Sequence, residues 1–287
     1  MTEGEPVDVP SFPWHNGPMR YCVLGSGSNG NSCYVECGET RLLVDAGLGP
    51  RVLAKRLRPL GVTPKEITHV LLTHEHWDHT RGLEPLTRRN PDFELLSARG
   101  TLSALRAKLS QAPIEDVARR PIRAHQPVKL GRLTVHPFRT SHDAADPLGF
   151  RLESPEATLG VATDLGVYDH AIIDALSGAD ALVLEANHCP HLLDTGPYPY
   201  FLKRRVAGKL GHLSNEQCRE LLGRLLHSNL RHITFAHMSD KNNTPQALWA
   251  TLAPLFQGPT PPSNWTLGDR RAALPPVDLS PQLTLPL

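Results

Sequence analysis

Cysteine is sparse in this chain of 287 residues: Cys22, Cys33, Cys37, Cys189 and Cys218, with no C-x-x-C pair among them. An odd, scattered set argues against a disulfide framework and a structural zinc knuckle, and fits buried thiols in a reducing compartment. Long apolar runs are missing too, and none approaches the roughly 18 residues needed to span a bilayer. The first 18 residues are acidic and proline-rich, which is the wrong chemistry for a signal peptide. A cytoplasmic protein without membrane association is expected. Neither sign of charge dominates, since 30 Lys and Arg against 29 Asp and Glu give a formal net charge of +1. That excludes a strongly cationic nucleic-acid coat protein but leaves room for a local basic groove. With 40% hydrophobic and 21% charged residues, wholesale disorder and a fibrous repeat are also excluded.

Two residue types are in excess. The 27 prolines are about twice the usual share and read as stiffened loops and tails. The 15 histidines prompt a search for metal sites, because neutral imidazole is a common ligand. Proline divides the chain into a flexible extension over residues 1–18, one body over 19–257, and a Pro-rich tail over 258–287, wrapped over the surface or disordered. Met19 is a second candidate start. Within the body, alternating apolar runs predict strands at 20–24, 32–36, 41–44, 68–72, 133–138, 148–152, 158–162, 181–185 and 233–236. Helical spacing appears at 50–60, 168–176, 200–210 and 215–227, and from 245 onward. Strands alone at the start, alternating with helices only later, suggest sheets covered by outer helices rather than a doubly wound sheet.

The sharpest signal is His74-Glu75-His76-Trp77-Asp78-His79, just beyond the predicted strand at 68–72. A loop at a strand end can fan such side chains toward one point, whereas a helix would place ligands four residues apart. Four ligands so close in sequence cannot all close on one ion without strain, so two ions are expected. Downstream, His142, Asp164 and His237 each follow a predicted strand. Together these five His and two Asp make a donor set for two borderline divalent ions with an edge open to water. Trp77 could stack a base, although packing beneath the site is the simpler reading.

These motifs resemble the metallo-β-lactamase superfamily, over about residues 19–257 and in that family's order, with Asp45 in Leu-Val-Asp-Ala-Gly as the first. The resemblance implies an α/β fold, an αββα sandwich of two mixed sheets flanked by helices. It implies that His74, His76 and His142 hold one ion, that Asp78, His79 and His237 hold the other, and that Asp164 bridges them. Asp45 would orient the ligand loop from behind. Asp stands at 164 where the antibiotic hydrolases place cysteine, and His stands at 76 where the diiron oxidoreductases prefer an acid. Gly-Ser-Gly-Ser-Asn-Gly-Asn-Ser at 25–32, Glu-Ala-Asn-His at 185–188, Gly-His-Leu-Ser-Asn at 211–215 and His-Met-Ser-Asp-Lys-Asn-Asn at 237–243 are similar to the YycJ/WalJ group. Members of that group are described as 5′-to-3′ DNA exonucleases.

The expected function is therefore a dinuclear phosphodiesterase, with Zn or Mn as the metals and nucleic acid, DNA before RNA, as substrate. The nucleophile would be a hydroxide bridging the ions, its pKa brought to about 7 by coordination. Asp78 could accept its proton. His212, just ahead of a helix-capping box, is the candidate donor to the leaving group, and Glu185 resembles the acid paired with such a histidine in the family's tRNA-processing branch. Ser26, Ser28 and Asn31 in the glycine-serine loop, Lys203, Arg204 and Lys209 in a basic run, and Ser214 are candidate substrate contacts. Arg119, Arg120 and Arg123 form a second basic group with no chemistry beside it. A small-molecule hydrolase of the same fold, acting on a cyclic phosphodiester or a thioester, and a non-enzymatic protein keeping its metals for stability are the alternatives.

Overall fold

The computed structural model describes residues 17–108 and 117–281. The extension expected over 1–18 therefore lies almost wholly outside the described residues, as do the last six of the tail. The first sheet opens with β1 (Arg20–Gly25), β2 (Ser32–Cys37), β3 (Thr40–Val44), β4 (His69–Leu71), β5 (Glu94–Ala98) and β6 (Arg119–Ile122). The second holds β7 (Val128–Leu130), β8 (Leu133–Arg139), β9 (Leu148–Glu153), β10 (Thr158–Ala162), β11 (Ala181–Glu185), β12 (His232–Ala236) and β13 (Trp265–Leu267). A last strand, β14 (Val277–Asp278), returns to the first sheet beside β1. Each sheet begins as antiparallel hairpins and ends in parallel strands, so both are mixed.

Side-chain alternation explains the layering, because successive residues of a strand face opposite ways. In β1, Tyr21 and Val23 join Val35, Leu42, Val135, Phe150, Val161 and Val183 between the sheets. Cys22 and Leu24 point the other way, with Leu43 and Val70, onto the helices α1 (Pro50–Leu57), α3 (Leu83–Thr87) and α4 (Arg99–Lys108). Between α1 and α3 the chain makes a single helical turn, α2 (Trp77–Thr80). On the far side, Leu182, Leu184, Ile233 and Phe235 pack on α5 (His170–Leu176), α8 (Asn215–Leu225) and α9 (Pro245–Leu252). Two short helices, α6 (Pro190–Thr195) and α7 (Tyr200–Val206), lie between β11 and α8. The result is the expected αββα sandwich.

Predicted and observed elements differ where special residues act. The helix expected over 50–60 becomes 3-10 from Arg58, where Pro59 removes a backbone donor. The helix expected over 200–210 stops at Val206, and a turn over 207–211 follows, where a Cβ on Gly211 would meet the Arg205 and Val206 carbonyls at 2.2 Å. Residues 258–281, expected as a tail, contribute an edge strand to each sheet. This segment also ties the sheets to the loops: Ser26 N donates to Asp269 O at 3.1 Å, and Leu274 N to Val23 O at 3.0 Å.

Candidate metal centre

The C-terminal ends of β3, β4, β10, β11 and β12 lie along one edge of the sandwich, and the chemistry gathers there. Asp45 and His237 each directly follow a strand, and Asp164 comes two residues after β10. All three adopt positive φ, at 63°, 56° and 57°. Non-glycine residues hold that conformation at a cost of order 1 kcal/mol or more, sustained only where the surroundings fix it. The loop after β3 is fixed closely. Ala46 N donates to His79 O at 2.8 Å, Asn31 N to Asp78 O at 2.8 Å, and Gly47 N to Asn31 O at 2.9 Å. A Cβ on Gly47 would lie 1.7 Å from Asp78 O, so only glycine allows this approach.

The His-rich motif is not wholly a loop. His74 to His76 lie outside regular structure, and His76, in extended backbone, stands at the N-cap position of α2, which carries Asp78 and His79. The seven expected ligands converge. Ligand atoms of His74, His76 and His142 lie within 4.8 Å of one another, as do those of Asp78, His79 and His237. Asp164 touches both groups, with Oδ1 3.6 Å from His142 Nε2 and 3.5 Å from His237 Nε2, and Oδ2 3.3 Å from His79 Nε2.

Hydrogen bonds behind the imidazoles decide which nitrogen is presented. His79 Nδ1 donates to Asp45 Oδ2 at 2.7 Å, and His142 Nδ1 donates to Gly211 O at 3.0 Å. His237 Nδ1 lies 3.3 Å from Glu185 Oε1. With Nδ1 engaged in this way, the Nε2 edge of each ring faces the cluster, where a ligating histidine would need it. Asp45 is itself held by Thr73 N at 2.8 Å and by the Thr73 hydroxyl.

Electrostatics test whether the site suits cations. His74 is 0% exposed, and its Nε2 has no hydrogen-bond partner; nor has Asp164 Oδ2. Burial, reinforced by the neighbouring imidazoles, holds His74 well below the usual histidine range, so it presents a neutral lone pair. Burial alone would also lower His237, but Asp164, Asp78 and Glu185 overcome it and push it up to about 10. Four carboxylates, Asp45, Asp78, Asp164 and Glu185, thus meet at the histidines and call for positive charge. An unpartnered nitrogen on neutral His74, beside carboxylates that hold a proton on His237, marks a site that favours positive charge and fits divalent cations.

At the cluster opens a cavity of about 220 Å³, lined by the expected ligands His76, Asp78, His142, Asp164 and His237 together with Ser28, Asp143, Tyr198, Leu202, Arg205, Val206, Gly211 and His212. His212 Nδ1 is 2.8 Å from Glu185 Oε1, while Glu185 Oε2 accepts Leu165 N at 2.9 Å and Leu213 N at 3.0 Å. Burial would raise the Glu185 carboxyl, yet His212 and His237 hold it well below the carboxylate range.

The expected substrate contacts divide. Ser28 lines the cavity. Ser26 turns inward to accept His237 N at 2.6 Å, and the Asn31 amide reaches Asp78 Oδ2 at 3.1 Å and His79 Nε2 at 3.0 Å, so both position ligands. Ser214 closes the cap of α8 by accepting Gln217 N at 3.2 Å. Lys203 donates to the Asp194 carbonyl, Arg204 lies over the Tyr200 ring, and Lys209 is exposed; the cation of this run that lines the cavity is Arg205. Trp77 does not pack beneath the site, being 64% exposed. Arg120 pairs with Glu94 on an edge strand. Sequence reading missed Glu75, whose buried carboxylate accepts Ala145 N at 3.0 Å and fixes the loop beyond His142.

Residues 40–252 match the Beta-lactamase superfamily domain. The chain belongs to that superfamily. Among relatives of this superfamily member, the exodeoxyribonuclease WalJ of Streptococcus pneumoniae is 30% identical over 234 residues, 82% of this chain and 87% of that protein. The exodeoxyribonuclease YycJ of Bacillus anthracis is 32% identical over 226 residues, 78% of this chain and 84% of its own. Among solved structures, the metallo-beta-lactamase fold protein YhfI from Bacillus subtilis superposes with a TM-score of 0.68 at 17% identity, covering 90% of this chain and 99% of that one. A diphosphatase of the PhnP family gives 0.65 at 19% identity, covering 91% and 98%. At such identities the structural likeness concerns the fold alone.

Proposed function

We propose that this chain is a dinuclear metal-dependent phosphodiesterase, a DNA exonuclease working from 5′ ends. The observation that carries the reading is the meeting of two ligand groups at Asp164, beside a cavity lined by His212, which Glu185 holds from behind. Similarity to two exodeoxyribonucleases over about four-fifths of the chain supports the substrate class.

His74, His76 and His142 would hold one ion, Asp78, His79 and His237 the other, and Asp164 both; the ions would be Zn, which the imidazoles suit, or Mn, which the carboxylates suit. When bound, the ions supply an activated water and neutralise charge on the phosphoryl oxygens. Asp78 faces the cavity and is able to accept a proton from that water. Burial works against its ionised form, but His237 and His79 beside it favour that form, so it is a carboxylate able to hold an ion. His212, held through Nδ1 by Glu185, turns its other edge toward the cavity, where a leaving 3′ oxygen would take up a proton.

An exonuclease needs an end. Linear DNA is expected to be degraded to mononucleotides or short products while a covalently closed circle of the same sequence survives; nicking of the circle at a comparable rate would contradict the reading.

A further inference from the structure

Arg205 stands apart from the cations around it. It is on the last turn of α7 and lines the metal cavity, and its side chain is 60% exposed. Its Nε donates to Asp143 Oδ2 at 2.6 Å, and the described contacts give its two Nη groups no hydrogen-bond partner. One edge of the guanidinium is thus pinned, and the rest of this partly exposed side chain is left to meet a ligand at the cavity wall. A pinned planar fork has already lost much of its rotamer freedom, which suits two parallel bonds to an anionic oxygen pair.

The backbone around it is equally fixed. Asp143 N donates to Leu210 O at 3.0 Å, the Ser141 hydroxyl to Lys209 O at 2.6 Å, and His212 N to Val206 O at 2.9 Å. A Cβ on Gly166 would lie 2.3 Å from Lys209 O, so this loop sits tightly on the strand-end loops. Arg205 and His212 are therefore held in one frame with His142.

Asp143 also sets the distance to the metal site. Its Oδ1 lies 3.5 Å from His142 Nε2 and 3.9 Å from His76 Nε2, so a carboxylate stands between the guanidinium and the histidines. A phosphate seated among the histidines is screened from Arg205 by that carboxylate; the free Nη edge meets a different group farther along the cavity. We propose that Arg205, fixed by Asp143, forms a second phosphate subsite that takes the phosphodiester adjacent to the one cleaved. The subsite rests on the phosphodiesterase reading and deepens it, because it favours a polynucleotide over a substrate with one phosphate.

The test compares a single-stranded oligonucleotide with bis(p-nitrophenyl) phosphate, which has a single phosphate, in wild-type holoenzyme, Arg205→Ala and Arg205→Lys. In Arg205→Ala, kcat/KM on the oligonucleotide is expected to fall about 30-fold, carried by KM, against less than about threefold on the aryl diester. The slope of log KM against log salt for the oligonucleotide is expected to shrink by about 0.7. Arg205→Lys keeps the charge without the fork, and is expected to restore the salt slope but not KM. Equal losses on both substrates, or no loss on either, would overturn the subsite and leave Arg205 as a brace for Asp143. A wild-type enzyme that cleaves the aryl diester but no oligonucleotide would instead overturn the nuclease reading, and the subsite with it.

Discussion

Oε1 of Glu185 lies 2.8 Å from Nδ1 of His212 and 3.3 Å from Nδ1 of His237. One buried carboxylate thus orients two imidazoles, stacked with centroids 5.1 Å apart, toward one cavity. The two histidines have different proposed tasks, proton donor and ligand, and mutation should separate them. His212→Ala is expected to lower kcat about 10²-fold with both ions retained. Glu185→Gln, which loosens both rings, is expected to lower kcat and metal content together. Single-turnover kinetics with elemental analysis checks both; loss of metal in His212→Ala would move that residue among the ligands.

Asp45 reaches the centre only through His79 and Thr73. Replacing its carboxylate by an amide leaves one acceptor oxygen where two are in use, by Thr73 N and by His79 Nδ1. Asp45→Asn is expected to weaken metal binding about 10- to 100-fold while leaving the fold intact. Competition against a chelator measures this, and an unchanged affinity would show that the loop holds His79 unaided.

The strand-end ligands were legible in sequence because each follows a short apolar run, and a strand end is a place where backbone direction and side-chain reach are both fixed. The hairpins over 20–44 were legible for the same reason. β6 was not, since Arg119-Arg120-Pro121-Ile122 lacks an apolar alternation and pairs only at an edge. The edge strands β13 and β14 were hidden by surrounding prolines, which suit an edge that leaves some donors unpaired. Inside the glycine-serine loop, composition suggested anion binding, whereas Ser26 and Asn31 spend their polar atoms on His237, Asp78 and His79. Helical phase placed Arg205 rather than Lys203 or Arg204 at the cavity, and a charge run read as a unit cannot show that.

His188 carries a pH dependence. It is buried, its Nδ1 has no hydrogen-bond partner, and burial pushes its pKa down to about 4. The unfolded chain would titrate near the ordinary value of about 6.5. Because the folded pKa is the lower one, this contribution to stability is complete above about pH 6.5 and is lost as pH falls toward 4. Between pH 7 and pH 5 the loss is about 2 kcal/mol. Denaturant unfolding of wild type and His188→Gln at both pH values isolates it, because the variant lacks the titration. Equal pH dependence in the two proteins would refute the assignment.

A His/Asp cluster that cuts DNA from its 5′ end must release a 5′ label before a 3′ label. The most direct measurement digests 5′-labelled and 3′-labelled linear duplexes and single strands with Mn²⁺, with Zn²⁺ and with EDTA, using Asp78→Ala as control. Early release of the 5′ label in short products, abolished by EDTA and by the substitution, is the expected result. No cleavage under either metal, by protein shown to hold two ions, would contradict it.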